Sequence, residues 1–272
     1  MGYVIGSLNV NRFNGLGKHD TGKIADMFLS ENFDIVALQE VMHPRALEML
    51  QRRMPVYWQA CYGDPRTDAY GFGFLWNTRR VRECSQDAQP SIFNQYRSPL
   101  KLNRDPFYGR FTPDGLLGGA FFEIRLIDVH LCWNAYGIEN NVVKRKEEFR
   151  ILSTEIYKFV STHRYGNNMP GYTIVLGDYN LLAIFCRLAE QDTTYLMDTF
   201  QEEKTTISTK LDSYASDYDH FSYNAERFVG TDISVMRVNS VAKYMNNDFK
   251  LHNDNISNHV PIKLELNLNP RR

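Results

Sequence analysis

Short apolar runs alternate with polar stretches along the whole chain, and most of the runs are too short for helices. Tyr3–Asn9, Phe33–Leu38, Val56–Tyr62, Gly71–Trp76, Val81–Cys84, Phe121–Leu131, Tyr172–Leu176, Tyr218–Tyr223, Asp232–Val238 and Val260–Leu266 each read as strands. Helical spacing occurs in three places. Ile24, Met27 and Phe28 share a face within Lys18–Asn32. Pro44 suits the first turn of a helix running to Arg53. Val142, Phe149, Leu152, Ile156 and Phe159 mark the longest helix, Ile138–Thr162, with Lys144, Arg145, Lys146, Glu147 and Glu148 on its other face. Asn77-Thr78-Arg79-Arg80 reads as the turn of a hairpin. Residues 85–118 are dense in turn signals and read as irregular.

Strands outnumber helices, and hairpin-length connections favour antiparallel or mixed pairing. The expected fold class is α/β: a two-layered mixed or antiparallel β-sandwich flanked by helices. No linker composition or internal repeat divides residues 1–272, so a single domain is expected.

Five polar motifs sit at the ends of these runs: Ser7-Leu8-Asn9-Val10-Asn11, Leu38-Gln39-Glu40, Asp128-Val129-His130, Gly177-Asp178-Tyr179-Asn180 and Ser257-Asn258-His259. Strand ends are where layered α/β folds expose their chemistry. Glu40 is a candidate ligand for a hard cation, which prefers oxygen donors. Asp178 and Asn180 would face one side of an extended segment. His130 and His259 can accept protons or hydrogen-bond a phosphoryl oxygen. Asp219 is a candidate to orient His259, with His220 pointing the other way into the structure. Arg104 and Arg110 can grip phosphate. Asn103, Tyr108, Trp133, Asn134 and Tyr136 can add polar or stacking contacts. Each motif has a plainer alternative. Glu40 can cap the next helix, Gly177-Asp178 is common turn chemistry, a lone histidine is more often structural, and surface arginines are usually solvated.

Bulk properties narrow the picture. The net charge of −1 gives no global field for a polyanion, so any such binding must come from a local patch or a metal. Four scattered cysteines lack C-x-x-C spacing, which argues against zinc. Nothing in the N-terminal residues resembles a secretory signal, and no run is long enough to span a membrane; a cytoplasmic location is the expectation.

Taken in order, the motifs resemble the endonuclease/exonuclease/phosphatase superfamily, whose fold is that of deoxyribonuclease I. The resemblance runs from Asn9 to His259. It implies a metal-dependent phosphodiester hydrolase using Mg²⁺, with Mn²⁺ as a substitute. The implied metal group is Glu40, with Asn9 and Asn258 beside it. The implied catalytic group is His130, Asp178, Asn180, Asp219 and His259. Asn9, Arg104 and Arg110 are implied to contact substrate. Relatives commonly carry aspartate where this chain has Asn258. Arg104-Asp105-Pro106-Phe107 resembles a segment of deoxyribonuclease I-like enzymes, so nucleic acid is the implied partner, DNA ahead of RNA. A phosphatase acting on a small or lipid-linked phosphate, and a binding or regulatory protein on the same scaffold, are the alternatives.

Overall fold

The computed structural model describes residues 2–64, 70–84, 91–92, 102–114, 122–133, 141–164, 170–190, 197–200, 203–228 and 230–268. The first half of the chain forms β1 (Gly2–Phe13), α1 (Thr21–Ser30), β2 (Ile35–Val41), α2 (Pro44–Gln51), β3 (Trp58–Gly63), β4 (Gly71–Asn77), β5 (Val81–Glu83), β6 (Ser91–Ile92), β7 (Phe107–Pro113) and β8 (Glu123–His130). A long helix follows, α3 (Asn141–Ile151), continuing through a π-helical stretch (Leu152–Tyr157) into α4 (Lys158–Thr162). Next come β9 (Gly171–Asp178), α5 (Ala183–Glu190), β10 (Asp198–Phe200), β11 (Ile207–Ser208), β12 (Ser213–Tyr214) and β13 (Asp219–Tyr223). The last elements are β14 (Thr231–Arg237), α6 (Ser240–Met245), α7 (Phe249–Asn255) and β15 (Ile262–Leu268).

Two sheets face each other. One has the order β14-β15-β1-β2-β4-β3; the other runs β10-β13-β9-β8-β7-β5, with β6 on β7. Between them lies an aromatic-rich core that includes Phe72, Phe74, Phe107, Phe111, Leu126, Leu176 and Phe221. Helices α1 and α2 cover the outer face of the first sheet through Phe28, Leu47 and Leu50. Helices α3 and α5 cover the second through Phe149, Leu152 and Cys186. Mixed sheets sandwiched between helices are the architecture the strand pattern predicts.

The topology decides where chemistry is placed. Strands β1 and β2 are parallel, as are β8 and β9, while the remaining described pairs are antiparallel. Each parallel pair brings two carboxyl ends side by side: Asn9 opposite Gln39, and His130 opposite Asp178. Antiparallel β13 then sets Asp219 against Asp178 at its own start.

Three local expectations change. The segment Asn77–Arg80 does not close a hairpin. It carries the chain between sheets, with β4 pairing β2 and β3 while β5 pairs β7. Arg80 anchors that crossing on the Asp34 carboxylate at 2.9 Å. Residues 107–113, inside the stretch read as irregular, form the interior strand β7, bracketed rather than broken by Pro106 and Pro113. Glu148 does not lie on a solvated face. It is buried and accepts from the backbone N–H groups of Asn103 (2.7 Å) and Cys132 (2.9 Å), tying two loops together. Ile138, Asn134 and Tyr136 lie outside the described residues.

Candidate active site

Glu40 owes its position to a kink. The β1–β2 pairing loses register after Asn9 and Gln39, and resumes at Phe13 and Val41. Glu40 sits in this bulge with φ +61°, in the left-handed region. A bulge re-aims one side chain out of the alternating pattern. On the facing strand Asn11 and Arg12 are also left-handed, at +47° and +58°. The Arg12 backbone N–H donates to Glu40 Oε2 at 3.0 Å. On the other sheet Gly177 has φ +134°, and a Cβ there would overlap the Val129 carbonyl oxygen. Only glycine allows β9 to approach β8 this closely just before Asp178.

Around these turns the side chains meet. Asn9 Nδ2 donates to Asp178 Oδ2 at 2.9 Å and to Glu40 Oε1 at 3.2 Å, linking the two sheets. His130 Nε2 lies 3.7 Å from Asp178 Oδ2 and 3.8 Å from Glu40 Oε1. His259 Nε2 lies 3.8 Å from Asp178 Oδ2, and its Nδ1 is 2.7 Å from Asp219 Oδ2. Asn180 Nδ2 donates to the Leu131 carbonyl at 2.9 Å, while its backbone N–H donates to Asp178 Oδ1 at 2.8 Å. Asn9, His130, Asp178, Asn180, Asp219 and His259 are all buried, and Glu40 is partly exposed.

A second tier of contacts holds this arrangement. Ser257 Oγ donates to the Asn9 carbonyl at 2.6 Å and accepts from the His259 N–H at 3.1 Å. Thr205 Oγ1 accepts from the Asp219 N–H at 3.2 Å. Gln39 Nε2 donates to Ser7 Oγ (3.1 Å) and Asp128 Oδ1 (2.7 Å), a polar bridge between the sheets beneath the site. Arg145, placed by helical spacing opposite the apolar face, reaches the Asn180 carbonyl oxygen. Helical phase alone could not reveal that contact, because its acceptor lies on another element.

Burial divides the ionisable groups. It drives His130 well below the usual histidine range, and the neighbouring charges of Arg104 and His259 push the same way. His259 is also buried, which alone would lower its pKa. The Asp219 and Asp178 charges, the Asp219 hydrogen bond and the Glu40 charge outweigh that and raise it to about 9. Burial pushes Asp178 up to about 7, against the lowering by His259. Asp128 is raised well above the carboxylate range by burial, against the hydrogen bond from Gln39.

Two expected site residues behave differently from expectation. Arg110 is buried in β7 and pairs with Glu123, which also binds Arg125 Nε at 2.9 Å. A guanidinium inside this pair is not presented to a phosphate. Asn9 turns its amide oxygen to the Asn11 N–H at 2.9 Å and its amide nitrogen to both carboxylates. It therefore links Glu40 and Asp178 as a donor, while its amide oxygen keeps a second lone pair. Arg104 stands beside His130, donating to the carbonyls of His130 (3.1 Å) and Leu131 (3.3 Å). Asn258 is half-buried, with its Oδ1 3.5 Å from Ser257 Oγ. His220, as expected, turns inward, with Nε2 2.9 Å from the Leu181 carbonyl.

The donor set suits a divalent cation. Asp178, Asp219 and His259 offer ligand atoms within 4.8 Å of one another. Asp219 Oδ1 is buried without a hydrogen-bond partner. Glu40 adds a third carboxylate on the other side of Asp178. In the first group His259 Nδ1 is engaged with Asp219 Oδ2, which leaves the carboxylates of Asp219, Asp178 and Glu40 as the oxygen donors for a hard cation.

No family model and no curated protein sequence matches the chain. Solved structures do. Zebrafish (D. rerio) TDP2 complexed with single strand DNA product superposes with a TM-score of 0.65 at 17% identity, covering 98% of this chain and 99% of that one. An endonuclease/exonuclease/phosphatase family protein from Bacteroides thetaiotaomicron gives 0.65 at 15%, covering 99% of both chains. A mannosyl-6-phosphatase from the same organism gives 0.63 at 15%, covering 97% of this chain and 99% of that one. Sheet order, strand-end placement of the polar motifs and end-to-end superposition agree: the chain has the fold of the endonuclease/exonuclease/phosphatase superfamily.

Proposed function

We propose that this protein is a metal-dependent phosphodiester hydrolase acting on the backbone of nucleic acid, DNA ahead of RNA. The observation that carries the reading is the meeting of Asn9, Glu40, His130, Asp178, Asn180, Asp219 and His259 at one end of the two sheets. Glu40 with Asp178 would hold a divalent cation, Mg²⁺ or Mn²⁺, whose charge would serve to polarise a phosphoryl oxygen. The neutral His130 donates a hydrogen bond to the phosphate without carrying charge into a buried site. His259 is held protonated at neutral pH by Asp219, and so serves as the acid that protonates the departing oxygen. Asp178, oriented by the Asn180 N–H, positions the nucleophile and phosphate. Arg104, beside His130, adds positive charge for the flanking backbone. The zebrafish protein of this fold, described with single strand DNA product, supports a nucleic-acid substrate.

The mannosyl-6-phosphatase of the same fold favours a second reading, a phosphatase acting on a small phosphate monoester. The test is a panel of single-stranded DNA, plasmid DNA, RNA, phosphoinositides and a hexose phosphate, with and without Mg²⁺. Metal-dependent cleavage of the nucleic acids is expected. It should fall roughly 10²–10³-fold in Glu40→Gln, which removes a charge at constant volume. Turnover confined to monoesters would replace the first reading with the second, and full activity in Glu40→Gln would remove Glu40 as a ligand.

A further inference from the structure

We infer that Asp128 is held as a neutral carboxylic acid whose proton bridges to Gln39, and that this acid–amide pair, spanning the two sheets, positions Glu40 and His130 above it. The pair stands on its own geometry; only its positioning role rests on the phosphodiesterase reading. Side chains alternate along a strand, so every second residue faces the same way. Ile5, Ala37 and Leu126 belong to the core between the sheets. Two residues further along the same strands come Ser7, Gln39 and Asp128, all buried. Beyond them lie the catalytic residues: Asn9 and His130 two positions on, and Glu40 in the bulge that follows Gln39 directly. The pair is therefore the floor of the site. Its hydrogen bonds leave a gap. Gln39 Nε2 donates to Ser7 Oγ at 3.1 Å and to Asp128 Oδ1 at 2.7 Å, which uses both of its hydrogens. Gln39 Oε1 and Asp128 Oδ2 are buried with no hydrogen-bond partner among the described residues.

Both orphans are acceptors, and they sit on two groups already joined. An ionised Asp128 would leave both unsatisfied and strand a charge away from water. One proton on Oδ2, donated to Gln39 Oε1, satisfies both. The surroundings favour that state. The register partners of Asp128 are Phe107 on β7 and Leu176 on β9, and the facing sheet offers it the Gln39 amide, which is shared with Ser7. The ionisable groups of the site, Glu40 on β2, His130 on β8 and Asp178 on β9, lie further toward the strand ends. Burial governs Asp128, opposed by hydrogen bonds from Gln39 and the Val129 N–H, with no cation among the described residues to balance a charge. Neutrality has a use here. An anion two residues from His130 on the same strand face would favour the imidazolium, whereas burial and its cationic neighbours keep His130 neutral. The pair thus ties the sheets together without adding a charge beneath Glu40 and Asp178.

The experiment begins with the metal-free protein in EDTA. The infrared difference spectrum of parent minus Asp128→Asn at neutral pH should contain the carbonyl band of a protonated carboxyl, and that band should move in ²H₂O. The unfolded chain ionises Asp128 near the ordinary aspartate value, so the parent releases one proton on unfolding between about pH 5 and 8. A raised folded-state value means a contribution complete below about pH 4 and lost as pH rises. The folding constant of the parent, from urea curves, should therefore fall about tenfold per pH unit relative to Asp128→Asn, whose amide pairs with Gln39 without a proton. On single-stranded DNA with Mg²⁺, Gln39→Glu sets a second acid against the first and should lower kcat by up to roughly 10²-fold with little change in KM. The double variant Gln39→Glu/Asp128→Asn exchanges acid and amide, and should recover most of that loss. A carboxylate band in place of the protonated one, parallel pH dependences in urea, or a double variant no better than the single one would overturn the inference. Failure of the parent to cleave single-stranded DNA would instead overturn the reading beneath it, and the infrared and urea results would still decide the pair.

Discussion

His259 Nδ1 lies 2.7 Å from Asp219 Oδ2, and Asp219 stands directly across β13 and β9 from Asp178. The imidazole is thereby clamped between two carboxylates contributed by neighbouring strands, and its pKa rises to about 9. A raised folded-state value means stabilisation that is complete below about pH 6.5 and lost as pH rises through about 9. Asp219→Asn removes the largest of the raising influences. Activity is expected to fall roughly 10²–10⁴-fold. The alkaline limb of the pH–rate profile should move to lower pH, since the imidazolium would be lost earlier. An unmoved alkaline limb would mean that His259 is not the titrating acid.

Arg110→Ala is expected to damage the fold rather than substrate binding. Breaking a buried ion pair costs roughly 3–5 kcal/mol when the surviving charge is stranded. Arg125 keeps its bond to Glu123, which places the expected loss at the lower end. Urea denaturation should report it as a shifted midpoint. The salt dependence of cleavage should stay unchanged, whereas Arg104→Ala should lower that slope by about one unit. A changed slope in Arg110→Ala with normal stability would return Arg110 to the substrate surface.

His252 should make the protein acid-sensitive. It is fully buried, with Nε2 2.7 Å from Ser240 Oγ and Nδ1 2.9 Å from the Ser257 carbonyl. A neutral ring satisfies both contacts, accepting at one nitrogen and donating at the other. Burial lowers its pKa to about 4, against the raising hydrogen bond to Ser257. A depressed value contributes stability that is present above about pH 6.5 and lost as pH falls through about 4. The difference is worth about 3 kcal/mol across that window. Thermal unfolding from pH 7 to pH 4 should show a steeper fall in Tm for the parent than for His252→Gln. Parallel curves would clear His252 of the effect.

Asn258→Asp should raise activity most at low Mg²⁺. The added carboxylate sits next to His259 and beside Ser257, so it brings an oxygen anion to the edge of the donor cluster. It should also raise the histidine pKa further. The measurement is the Mg²⁺ concentration for half-maximal rate, which should drop. An unchanged requirement would show that the amide serves equally well.

Strand ends were readable because apolar runs stop abruptly at Asn9, Glu40, His130 and Asp178, and parallel pairing turns those stops into one surface. What stayed hidden was partnership across the chain. Arg104 and Arg110 look alike in sequence, yet only the position of Glu123 on the next strand separates a buried ion pair from a site neighbour. Asn9 reads as a metal neighbour, and its bridge to both carboxylates is visible only in the fold. Glu148 and Arg145 match a helix's outer face by spacing, and their acceptor and donor groups lie on loops and strands far along the chain. Strand β7 escaped because prolines at its ends carry the same signal as prolines in a loop. The turn at Asn77–Arg80 fits a hairpin in length, and only sheet membership distinguishes a return from a crossing.

The pairing of β1 with β15 has a consequence for synthesis. Strand β1 is an interior strand of its sheet, and one of its two neighbours, β15, comes last among the described strands. Ser257, which grips the Asn9 backbone, and His259 emerge just before it. The nascent chain therefore carries Glu40, His130 and Asp178 for most of translation with neither the imidazolium nor the strand that closes the sheet. Contacts of such sequence separation form late and slowly. The polar end of the two sheets is therefore completed only when β15 docks on β1.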